Sequence, residues 1–228
     1  MKKVLINNQG QGLIELIIAI AVIVVGLFAV WTLFMSNFNG EQEAKARVIG
    51  ANLSREGIEA VKNIRDSNWL HRDENQLDEL NNLWAWDHSL VPGYYTIDEL
   101  FSSPNPDYDG LVKLKTIAFP AEADKSKLYI NDLGFFVHES GSRFSGYSRL
   151  ITIKNICCNS NKDDGETDEN KIRQQCADQD FKLADGGCDS AFGADYTKIG
   201  ISVICQVDWK VNEKPRKIVI EDQLFNWR

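Results

Sequence analysis

The chain is poor in the residues and motifs that carry most enzyme chemistry. Its three histidines, His71, His88 and His138, have no mutual spacing that suits zinc, and no H-E-x-x-H, phosphate loop or G-x-S-x-G is present. Catalysis has no foothold here, so the expectation is a protein that is not an enzyme and that needs no cofactor. There is no C-x-x-C pair either, which weighs against zinc at the cysteines. An excess of positive charge is also missing: 25 Lys and Arg stand against 33 Asp and Glu, a formal net charge of −8. Such a field argues against nonspecific binding to nucleic acid or anionic lipid through the whole surface, although a local patch could still exist.

Charge is scarcest near the N-terminus. The stretch Gly10 to Met35 reads GQGLIELIIAIAVIVVGLFAVWTLFM and holds one ionisable side chain, Glu15. As a helix, Leu13 to Met35 would rise roughly 34 Å, enough to cross a hydrocarbon core about 30 Å thick. The run is too long for the apolar region of a secretory signal peptide and no small-residue cleavage site follows it, so retention is expected. Lys2 and Lys3 precede the span while Glu41 and Glu43 follow it, which puts the N-terminus in the cytoplasm and the rest outside. A carboxylate in a span is costly unless paired, interfacial or facing protein, so Glu15 needs a partner. Glu15, Ala19, Val22, Gly26, Ala29 and Leu33 share one narrow face, and small residues of this kind let helices approach closely in lipid.

Lys2 and Lys3, the polar Asn7-Asn8-Gln9, Gly10, and then Glu15 within Leu13-Ile14-Glu15-Leu16 form an ordered series. In this the sequence resembles the type IV prepilins and the pseudopilins of type II secretion, where a basic leader ends in glycine and a glutamate sits fifth in the mature chain. The resemblance implies cleavage by a prepilin peptidase after Gly10, with Gln11 as the new, N-methylated terminus. It also implies an inner-membrane assembly platform and other pilin subunits as partners, and a subunit that moves from the membrane into a surface or periplasmic filament. The departures are Gln11, where the family usually has an aromatic residue or methionine, and Gly12, where it often has threonine.

No proline falls between Asn37 and Arg65, and Ala46, Ile49, Leu53, Gly57, Ala60 and Ile64 recur at alternating spacings of three and four. They form one apolar stripe, with charges on the other side. Span and stripe are expected to join in one long helix, leaving about 190 residues outside the bilayer, enough for one helix-plus-sheet domain. The expected division is a leader over 1–10, a membrane or filament-core half over 11–35, an amphipathic half over 36–66 and a head over 67–228. Asp66 to Asp87 reads as a polar connector with a short helix at Leu77, Leu80 and Leu83 or Trp84; Trp69, Trp84 and Trp86 are more simply core than a ligand platform. Strands are expected around Tyr94–Ile97, Leu111–Phe119, Leu128–Ile130, Phe135–His138, Tyr147–Ile156, Ile199–Val211 and Lys217–Ile220, as an antiparallel meander. The fold class is α+β, a long N-terminal helix on an antiparallel sheet, as in the pilin fold that the resemblance implies.

The insert from 157 to 197 is polar and holds Cys157, Cys158, Cys176 and Cys188. Outside the cytoplasm disulfides are the default reading of cysteines. Cys205 lies on the apolar face of its strand and is expected to stay unpaired; Cys157 and Cys158 would each reach Cys176 or Cys188, because bonding adjacent cysteines is strained. Asn159, Asn161, Asp163, Asp168 and Glu169 surround Gly165 as calcium ligands would, but the register is wrong for an EF-hand, and a solvated acidic loop is the simpler reading. Lys210, Lys214, Arg216 and Lys217 could meet phosphates, yet lysines at a hairpin are ordinary edge protection. Two readings of function follow. The first is a pilin, minor pilin or pseudopilin that polymerises through its N-terminal helix. The rival is a single-span surface adhesin or binding protein that never polymerises and keeps Gly10 uncut.

Overall fold

The computed structural model describes residues 11–73, 85–98, 113–138, 143–159 and 181–226. The chain divides into two units, residues 1–46 and 47–228. Both share the first element, α1 (Gln11–Asp73), which is unbroken across Asn39-Gly40. Aliphatic residues dominate it and proline is missing, so nothing interrupts its hydrogen-bond ladder. The connector expected from Asp66 is instead helical to Asp73. The cause is tertiary: the Asn68 amide donates to the carbonyls of Trp86 (3.1 Å) and His88 (2.8 Å), and Trp69 is buried with the Arg65 guanidinium 4.7 Å over its ring. The short helix expected at Leu77 to Trp84 lies outside the described residues.

In the second unit, α1 packs on a curled antiparallel sheet, an α+β arrangement consistent with the pilin-like fold expected from the sequence. The strands are β1 (Gly93–Asp98), β2 (Lys113–Thr116), β3 (Lys127–Ile130), β4 (Phe136–Val137), β5 (Arg143–Asn159), β6 (Lys182–Ala184), β7 (Tyr196–Val211) and β8 (Lys214–Phe225). A 3-10 turn, Ala123–Ser126, precedes β3, and a short helix α2 (Cys188–Phe192) precedes β7.

The expected meander is corrected by β5. At 17 residues it outruns any single neighbour on one of its edges. β7 follows it along the other edge from Tyr147↔Trp209 to Asn159↔Tyr196, while β3, β1 and β6 share the free edge in that order. β2 extends β1, β4 extends β3, and β8 extends β7.

Period-two burial follows from this pairing. Ile151 and Ile153 of β5, with Ile201, Val203, Cys205 and Val207 of β7, are wholly buried on the face that meets Ile58, Ala60 and Val61 of α1. The predicted helix stripe therefore does face the core. Two of its small positions set the closeness of approach. A side chain at Gly50 would meet the Trp209 ring at 2.8 Å, and one at Gly57 would run into the Cys205 sulfur. Ser54 donates to the Cys205 carbonyl at 2.9 Å, so the helix hydroxyl is satisfied on the sheet it covers. Lys62 and Asp222, 2.8 Å apart, tie the same helix to β8.

Candidate functional site

The candidate site is the first part of α1. From Leu13 to Phe38 its large apolar side chains are exposed, and among the described residues this is the one helix long and apolar enough to cross a membrane. That exposure is what a segment destined for lipid or for other helices must have. Glu15, Ala19, Val22, Gly26 and Ala29 are all helical and all exposed. Gly12 and Gly26 have open space where a side chain would begin, in contrast to Gly50 and Gly57. Gln11 opens the helix; Gly10, the predicted cleavage residue, lies outside the described residues.

The cysteine insert is stapled as expected. Cys157 at the end of β5 is bonded to Cys188 at the start of α2, Cα atoms 5.6 Å apart. Cys158 is also disulfide-bonded, and Cys176 lies outside the described residues. Cys157, Cys188 and Ala184 form a small buried cluster, with Phe192 and Tyr196 packed against it. Cys205 is free and buried, and burial pushes its thiol up to about 11, which keeps it protonated and unreactive. Of the candidate calcium ligands, Asn159 ends β5, whereas Asn161, Asp163, Asp168 and Glu169 lie outside the described residues.

Arg149 is a feature that sequence reasoning missed. Its side chain is 1 % exposed, and Nη1 reaches Glu56 Oε2 at 3.0 Å and the Leu53 carbonyl at 3.4 Å. The signal was its parity with Tyr147, Ile151 and Ile153, which puts it on the buried face of β5. His138 is a second. Its Nδ1 lies 3.1 Å from the Lys125 carbonyl and 3.2 Å from that of Lys127, so that nitrogen holds the proton and donates. Burial, reinforced by the Arg149 charge, lowers its pKa to about 4. Both groups join elements of the head and neither lies on the apolar helix, so they serve the scaffold.

No family profile matches the chain, and no curated protein and no solved structure matches it.

Proposed function

We propose that the chain is a prepilin-like structural subunit: inserted through α1 with its head outside the cytoplasm, cut after Gly10, methylated at Gln11 and polymerised through the apolar half of α1. The observation that supports it is the division of one helix into two chemistries. The half that carries Leu13 to Phe38 is apolar and exposed, while the half from Gly50 to Trp69 contributes its small and apolar residues to the head core. A plain anchor needs only hydrophobicity. It does not need a glutamate and small residues on one face, or a leader glycine set five residues before that glutamate. Other copies or related subunits, the peptidase and an assembly platform are the partners this reading requires.

The test is the mass of the mature N-terminus after expression with a prepilin peptidase, together with the share of subunit in sheared surface filaments. Loss of residues 1–10 with subunit in the sheared fraction is the expected outcome. A chain that keeps Met1 to Gly10 and stays in the membrane fraction would be the anchored binding protein instead.

A further inference from the structure

One end of the head exposes a set of apolar and basic side chains. The registers pair Ile130 with Arg143 and Trp209 with Tyr147, so the β3–β4 and β7–β8 turns both lie beyond the start of β5. They flank β5 on opposite sides, which separates them by about 15 Å at the usual strand spacing. The head part of α1 begins at the same end, with Gly50 against Trp209.

Both turns are built to hold their side chains outward. In the first, Asn131 Oδ1 accepts from the backbone N–H groups of Leu133 (3.1 Å) and Phe135 (2.9 Å), and Gly134 supplies the positive φ the turn needs. It displays Leu133, 78 % exposed, and Phe135, 49 % exposed; Phe144 beside it is 51 % exposed. In the second, Asn212 and Glu213 both take positive φ, the geometry of a tight two-residue hairpin. Lys210, Lys214 and Lys217 around it, and Arg143 beside Phe144, are exposed. Among the described residues the acidic members of this end are Asp132, Asp208, which lies opposite Lys217 in the ladder, and Glu213, 3.9 Å from Lys210, so the balance is still basic in a chain that is acidic as a whole.

Apolar tips ringed by lysine and arginine are what an interfacial lipid contact requires: the tips enter the headgroup boundary and the cations meet anionic headgroups. We propose that this end of the head docks on a phospholipid surface containing anionic lipid while the subunit is membrane-anchored, a step that rests on the anchoring part of the reading above. Because head and anchor are one chain, the head meets lipid at a high effective concentration, and the lipid needs to be bound only weakly.

The test uses the full chain in vesicles, with an environment-sensitive fluorophore on Leu133→Cys and, as control, on Ala194→Cys at the far end of the β5–β7 ladder; Cys205 is buried and does not compete. A quencher held at the headgroups should lower emission from position 133 in phosphatidylcholine mixed with phosphatidylglycerol, but not in phosphatidylcholine alone, and should leave position 194 unchanged in both. Each lysine near an anionic surface is worth about a fivefold bias, so Lys210→Gln with Lys214→Gln should lower the docked-to-free ratio by about 25-fold. Equal quenching at the two positions, or at position 133 in both lipids, overturns the proposal. So does emission at position 133 that changes only when copies cross-link through it, which would assign this end to a second copy. Chain that fails to float with the vesicles removes the anchoring reading and this proposal together, whereas chain that floats unquenched removes only the docking.

Discussion

His138 makes acid the weak side of the head. At pH 7 its imidazole is neutral folded and unfolded. As pH falls below about 6.5 the unfolded chain takes up a proton that the folded chain refuses until about pH 4, because the buried ring sits beside Arg149. Stability should therefore be lost across that window, by about 3 kcal/mol at its lower end. His138→Asn, which can keep a donor toward the Lys125 and Lys127 carbonyls, should flatten the dependence; the check is thermal unfolding in detergent at pH 7 and pH 5, followed by tryptophan fluorescence. Arg149 behaves differently, since its charge is fixed and partly answered by Glu56. Arg149→Ala should cost about 3 kcal/mol by leaving a void and a partnerless carboxylate, whereas Arg149→Met, which refills the space, should cost about half as much or less. The same unfolding measurement at pH 7 ranks the two.

At the scale of elements, what was legible is what repeats. The stripe of threes and fours and the alternation from Ile199 to Val211 each impose a period, and they appear in α1 and β7 with the expected face inward, while the unbroken apolar run appears as exposed helix. What escaped has no period. β6 is three residues long and α2 five, and both are held by the Cys157–Cys188 bond and by pairing to β5, which no local pattern announces. The order of strands along β5 escaped for a related reason, because β1 and β3 compete for the same edge and only tertiary packing assigns their places. The helix–sheet seam offers a direct test. Gly57→Ala gains helix propensity of about 1 kcal/mol, but its methyl would run into the Cys205 sulfur, and overpacking of this kind costs about 1–3 kcal/mol. The expected result is a net loss that Cys205→Ala, in the same chain, largely restores. Additive effects in that double-mutant cycle would mean that the helix moves off the sheet freely and that glycine is not setting the distance.

For the molecule as a whole, the unanswered cost is Glu15. It lies on an exposed helical face among apolar residues, where a lone carboxylate in lipid is expensive. Cleavage after Gly10 would create a positive α-amine on Gln11, about one helical turn away, so the carboxylate of one subunit can pair with the amine of its own chain or of a neighbour. An isolated subunit can relieve the charge by riding near the headgroups. In the proposed filament, helices packed face to face through Ala19, Gly26 and Ala29 would lack that escape, and the pair would come from a neighbouring chain. Such pairing would favour one axial stagger over the others, so in the proposed filament the charge would set register as well as add cost. Glu15→Val should therefore insert into the membrane as well as the parent, or better, be cleaved at Gly10, and yet fall sharply in the sheared-filament fraction relative to the membrane fraction. Scoring cleavage in the same samples separates failed processing from failed assembly. A valine variant that is cleaved and assembles like the parent would leave the small-residue face without its register contact and assign the stagger to the heads.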